Sequence, residues 1–279
     1  MSPIIGHGRR RQLFTAVKYL TFSLLLTNVF LFLQEELASL EHTFVSGMTV
    51  ADFVQVFAST IDTAAWVVLL LLFELETSIL DDERITGWTK RAIHGTRLLC
   101  GAAIVWAFRG YCSELVTLYR VELLQAFDAC GASGAWSVLE AMDEYVPLDG
   151  SNCSVLGGEL LRLQGFSILA PPDVLQDVRY LAWTDVLNAG AWILVVVVLE
   201  VEVRLQLQGR LTDAIVSGTR YLKYALYSML FAAAAYWGYA GDFLDFWDAS
   251  LWLFAFIFIE MNVFDWQQET SAEAQPAPA

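Results

Sequence analysis

Histidine is scarce in this chain. The three present, His7, His42 and His94, stand far apart and form no H-x3-H pair. Cysteine is nearly as scarce, at four, with no C-x-x-C. Zinc or haem sites of the usual spacing have no support; the residues name no metal and call for no cofactor. No G-x-S-x-G, P-loop, H-E-x-x-H or Rossmann fingerprint occurs, so an enzyme is the least supported class. Proline stands only at positions 3, 147, 171, 172, 276 and 278. None of these falls in a long apolar run, which argues against the broken helices that build midplane sites in many transporters.

Charge is sparse too. Asp, Glu, Lys and Arg make up 17% of the residues, against about 25% in ordinary soluble domains. Apolar runs take their place. A bilayer-crossing helix needs about 20 mostly apolar residues. Six stretches qualify, at 12–34, 58–80, 92–114, 183–204, 217–239 and 245–265. The sequence therefore predicts an all-α integral membrane protein with six transmembrane helices. The first run follows Arg9–Arg10–Arg11 but has no small-x-small cleavage site after it, so it reads as a retained anchor.

Lys and Arg favour cytoplasmic loops. With the N-terminus inside, 12 of the 16 basic residues fall on the inner side, leaving Arg109, Arg120, Arg162 and Arg179 outside. Both termini are then cytoplasmic, in a cell membrane that the compact chain suggests is a bacterial inner one. The outer half holds 19 of the 31 acids, so the formal charge of −15 lies on that face. Topology alone depletes outer bases, so this face has a plain explanation; the sharper one is a mouth that concentrates cations. No basic patch outside the inner loops invites nucleic acid.

The apolar runs repeat. With Trp66 laid over Trp192 and Trp252, Asp62, Asn188 and Asp248 align four residues earlier. Glu74, Glu200 and Glu260 align eight residues later, and Glu76, Glu202 and Asn262 ten later. The even-numbered spans share [D/N]-x3-W-x7-E-x-[E/N]. The odd spans match more weakly: "HGTRLL" at 94–99 resembles "SGTRYL" at 217–222, with "AVKYL" at 16–20 beside them. The reading is three repeated helical hairpins about a pseudo-threefold axis along the membrane normal. The domains are a cytoplasmic N-terminus (1–11), hairpin 1 (12–80), hairpin 2 (92–204) with an outer segment at 115–182, hairpin 3 (217–265) and a disordered cytoplasmic tail (266–279). Apolar spacing at Leu115, Leu118, Val121, Leu123, Leu124 and Phe127 predicts that the outer segment is a small helical insertion. Cys130–Cys153 is the preferred disulfide among the pairings open to Cys112, Cys130 and Cys153, with free buried thiols as the alternative.

The glutamates lie deep. Glu74 and Glu76 are 12 and 14 residues past Asp62, or about 18 and 21 Å along a helix. Charges there are costly and are paired or face a polar cavity. Residues equidistant from an inner turn meet at equal depth, so Glu76 is expected opposite Arg97, Glu202 opposite Arg220, and Glu200 opposite Lys223. Lys18 is expected to meet Glu260 and close the ring, with Asn262 avoiding an unpaired acid. Asp62, Trp66, Leu69, Phe73 and Glu76 share one helix face, and Glu74 points about 120° away.

Two readings stay open for these acids: register-setting ion pairs, or a ring that binds a cation or proton. Asp62, Asn188 and Asp248 read as helix caps at the outer end, or more sharply as a cation-selective vestibule. Arg109 is an intramembrane base without counterpart in the other copies. The functional expectation is a cation or proton channel or transporter. The alternative is a non-transporting structural, assembly or anchoring subunit that meets other membrane subunits through its outer segment.

Overall fold

The computed structural model describes residues 4–43, 50–76 and 87–256, apart from positions 126, 143, 155, 157, 158, 209 and 211. The chain is mostly helical. Its elements run α1 (Ile4–Thr43), α2 (Val50–Val56), α3 (Ala58–Glu74), α4 (Gly87–Tyr119), β1 (Val121–Leu124), β2 (Ser137–Ala141), β3 (Glu144–Pro147), β4 (Leu160–Leu163), β5 (Ile168–Ala170), α5 (Pro172–Leu207) and α6 (Asp213–Ala240). A further helix, α7, covers 243–256.

Among the described residues three helices, against the six expected, are long and apolar enough to cross a membrane: Gln12–Leu40, Gly87–Tyr119 and Pro172–Glu202. Their outward faces are rich in exposed aliphatic and aromatic side chains. Leu98 and Leu99 of α4 are 77% and 70% exposed, and Phe231 of α6 69%. Water would penalise such a surface by about 25 cal/mol for each Å2, whereas acyl chains do not.

The helices close around a common interior. α3 packs on α1 and α4, and α5 packs on α4 and α6. Phe22 and Leu25 of α1, Val67 and Leu70 of α3, and Leu251 and Ala255 of α7 form one apolar cluster, so the last helix returns to the first. The close fit of α2 on α4 depends on Gly110, where a Cβ would stand 2.7 Å from the Val54 carbonyl oxygen. The turn from α6 into α7 is tight because Gly241 adopts φ 93° and its N–H bonds the Trp237 carbonyl at 3.0 Å. Asp242 then accepts from the Asp245 N–H at 3.2 Å and starts α7.

The outer segment is not helical, which corrects the expectation for 115–182. α4 stops at Tyr119, and the chain forms a five-stranded sheet in the order β1-β4-β5-β2-β3. β2 and β5 are parallel and the other pairs antiparallel. The apolar residues follow a period of two. Leu139, Leu163, Ile168 and Ala170 face the outer ends of α4 and α5, against Leu115, Leu118, Leu175 and Val178. Val138, Leu160 and Leu169 face the other way, onto Ala129, Leu148 and Cys153. Cys130 and Cys153 are disulfide-bonded, with Cα atoms 5.0 Å apart, and tie down that second layer. Cys100 and Cys112 are free thiols.

Arg179 of α5 fixes the sheet's platform. Its Nε and Nη2 donate to the Leu118 carbonyl at 3.0 and 2.9 Å, satisfying one of the open carbonyls at the end of α4. Its guanidinium also lies 4.5 Å from the Tyr119 ring centroid.

Candidate functional site

The inner acids find bases, though not always the expected ones. Arg97 donates to Glu76 across the α3–α4 pair. Lys223 donates to Glu202 at 2.8 Å. The expected Glu202–Arg220 and Glu200–Lys223 pairs do not form: Arg220 is exposed, and Glu200 is held by Arg204 one turn along its own helix at 2.6 Å. The expected partner of Lys18, Glu260, falls outside the described part of the chain, but Lys18 has another. It is buried at the α1–α3 contact and donates to Glu74 at 2.7 Å, and the Tyr19 hydroxyl donates to the same oxygen at 3.0 Å. Glu260 and Asn262 lie outside the described residues.

Glu74 and Glu76, two residues apart and so roughly 160° apart around a helix, thus each meet a different neighbouring helix. Arg109 is exposed on α4 and makes no ion pair among the described residues.

The outer polar residues are not helix caps. Asp62 stands five residues into α3, Asn188 seventeen into α5 and Asp248 six into α7. The cap of α3 comes from another helix. Glu36 of α1 is 4% exposed and accepts from the Ser59 and Thr60 N–H groups at 2.9 and 3.1 Å and from the Thr60 hydroxyl. A buried carboxylate at a helix N-terminus satisfies open donors and meets the positive end of the dipole. Asp242 does the same work for α7. With these ends already capped, Asp62 and Asp248 are left to face inward.

They face a half-open cavity of about 790 Å3 between the helices. Asp62, Asn188 and Asp248 all line it, as do Trp66, Trp192 and Trp252 one turn further along each helix. The ring centroids of Trp66 and Trp192 lie 6.5 Å apart, and the Phe256 ring lies tilted 5.1 Å from Trp192. The [D/N]-x3-W spacing has a local cause. An i, i+4 pair shares one helix face, so the Trp66 and Trp252 indoles hydrogen-bond the carboxylates of Asp62 and Asp248. Asp248 also accepts from the Asn28 side-chain amide of α1 at 2.7 Å, which draws α7 to α1.

Asn188 has no such bond. Its side-chain oxygen is buried with no hydrogen-bond partner, as is the indole N–H of Trp237. Leu69 and Phe73 complete the α3 face in the wall.

Charge in the cavity is polarised. The end near the sheet is lined by Asp62, Asp185, Asp245 and Asp248; the opposite end has Glu200 and Arg97, each already paired. A smaller hollow shares Ser59, Tyr111, Asp185 and Asp245 with the cavity and continues to Glu35, Glu114 and Met142, just beyond β2. Among the described residues no three His, Cys, Asp or Glu side chains converge as a metal site.

Asp245, Tyr111 and Trp237 were not singled out from the sequence, and Asp185 only as an outer acid that could pair with Arg109. A signal for two of them was present: extending the aligned spans back three residues from Asp62, Asn188 and Asp248 reaches Ser59, Asp185 and Asp245, and all three line the cavity.

Compared with known proteins, the chain matches no protein-family model, no curated protein and no solved structure.

Proposed function

We propose that the chain is a six-span membrane protein, built as three helical hairpins, that takes up a cation in its central cavity and moves it across the bilayer. On this reading α1 and α3, α4 and α5, and α6 and α7 are the three hairpins, both termini are cytoplasmic, and the sheet is extracytoplasmic. One observation carries it: residues equivalent in the repeat, Asp62, Asn188 and Asp248, line one cavity from three helices. Acids inside a membrane are costly unless they are paired or serve an ion. The inner glutamates have bases and set helix register. Among the described residues Asp62 and Asp248 meet neutral donors, two indoles and one amide, so a cation between them relieves their repulsion. Asp185 and Asp245 strengthen the negative potential on the outer side.

Purified protein in liposomes tests this. With Na+, K+ or H+ gradients in turn, at least one should be carried, and Asp62→Asn/Asp248→Asn should lower the rate at least tenfold. Glu76→Gln should act on stability before it acts on rate. Flux that is indifferent to the Asp substitutions, or absent for every cation, refutes the proposal.

A second reading, an assembly subunit working through the outer sheet, draws on one observation. The segment has its own two-layer core and a disulfide, more structure than a linker between helices needs. Copurification with another membrane protein at fixed ratio, lost when 121–170 is replaced by a short linker, would favour it.

A further inference from the structure

The cavity has far more room than a bare ion uses. About 790 Å3 lies within the range of pockets that hold organic molecules, roughly 300–1,000 Å3. Its walls are chiefly aromatic and aliphatic, with the Trp66, Trp192, Trp252 and Phe256 rings gathered in one layer. Ring faces attract cations, and organic ammonium ions most usefully, because they need not keep a full water shell. The carboxylates of Asp62 and Asp248 lie one helical turn from the Trp66 and Trp252 rings, so charge and aromatic surface coincide.

A second observation is independent of the acids. Trp237 is 3% exposed and lines the cavity, and its indole N–H has no partner among the described residues. An indole nitrogen only donates. A buried donor without an acceptor is rare and calls for an explanation. An acceptor on a bound molecule supplies one.

Resting on the reading of the cavity as a cation site, we infer that its ligand is an organic ammonium ion carrying a hydrogen-bond acceptor. Its cationic end lies by Asp62 and Asp248 against the tryptophan rings, and its acceptor meets the Trp237 N–H. An inorganic ion would leave most of the aromatic wall and the Trp237 donor unused. The absence of a converging metal-ligand set among the described residues agrees with this choice.

The test uses the full chain in nanodiscs and calorimetry with two probes of equal length and charge. Acetylcholine has a carbonyl acceptor; pentyltrimethylammonium has none. Both should bind saturably and compete, acetylcholine at least fivefold tighter. Trp237→Phe should remove that advantage and leave pentyltrimethylammonium unchanged. Asp248→Asn should weaken both at least tenfold. The wild-type comparison of the two probes needs no variant, so a poorly folding substitution does not spoil the test.

Equal affinity of the two probes, equal weakening of both by Trp237→Phe, or no saturable binding of either overturns the inference. Flux of Na+, K+ or H+ with no binding of these probes would leave the transport reading standing and sink this one. Binding without flux would do the reverse.

Discussion

Removing Glu74 should be the most damaging single change among the inner charges. Glu74 is 3% exposed and Lys18 7%, and their atoms meet at 2.7 Å where α1 crosses α3. Deleting one partner of a buried pair leaves the other charge uncompensated, at a cost of about 3–5 kcal/mol. Glu74→Ala should therefore lower unfolding free energy by that amount. Tyr19→Phe, which removes only a hydroxyl donor to the same oxygen, should cost about 1 kcal/mol. The double change Lys18→Met/Glu74→Met removes both charges and keeps volume; it should fall within about 1 kcal/mol of wild type, since replacing a buried ion pair by apolar groups is often neutral. Exposed pairs give the contrast. Arg204 and Glu200 have side chains 70% and 57% exposed, and breaking them should cost at most about 1 kcal/mol. Equilibrium unfolding of the purified protein in mixed micelles, followed by far-UV circular dichroism, reads all of these. If Glu74→Ala costs less than about 1 kcal/mol, or the double Met variant is no better than the single change, the pair does not hold α1 to α3 as argued.

Other consequences can be checked on the same preparation. Glu36→Ala removes the buried cap of α3 and should cost about 2 kcal/mol, read by the same unfolding titration, with Glu36→Gln milder because its amide oxygen still accepts. Reducing Cys130–Cys153, which are 23 residues apart in sequence, should destabilise the outer sheet by about 3 kcal/mol; limited proteolysis should then cut between 121 and 170 and leave the helices intact. Asp149 has its carboxyl held below the ordinary range by the Ser151 hydroxyl and N–H. A depressed folded-state pKa stabilises above the unfolded value and loses its effect as pH falls through the folded one. The 149–152 turn should therefore hold at neutral pH and loosen only in acid, and Asp149→Asn should abolish that dependence in amide exchange of Ser151.

The apolar runs at 12–34, 92–114 and 183–204 fall on the three helices that are long and apolar enough to cross a membrane among the described residues, because a helix apolar nearly all round is legible from composition; the other three runs are not among them. Asp62, Asn188 and Asp248, aligned in sequence on their tryptophans, all line the cavity, since a spacing of four residues puts each on the same face of its helix as its tryptophan. Pairing across inner turns succeeded for Glu76 and Arg97, where the helices are neighbours joined by that turn. For Lys18 it named Glu260, which lies outside the described residues, and it missed Glu74 of α3, because depth along one helix says nothing about which of two adjacent helices a side chain faces. It failed for Glu202 by a register of three residues, the distance from Arg220 to Lys223.

The outer sheet was missed because "VELL" satisfies helical and strand spacing alike over so short a stretch. The better signal lay further on. "LLRL" and "ILA" flank Gly165, whose φ of 89° suits the turn between β4 and β5. Capping by Glu36 could not be read locally at all, because the carboxylate and the helix it caps are separated by more than twenty residues.

The most direct test of a cation-attracting cavity is charge-selective labelling from the outer side. Asn188→Cys is introduced with Cys100 and Cys112 changed to Ala, and is reacted with methanethiosulfonates of opposite charge but similar size. The account predicts that the ethylammonium reagent reacts at least tenfold faster than the ethylsulfonate, and that Asp62→Asn/Asp248→Asn erases most of the difference. Equal rates for the two reagents, or a preference untouched by loss of the carboxylates, would contradict it.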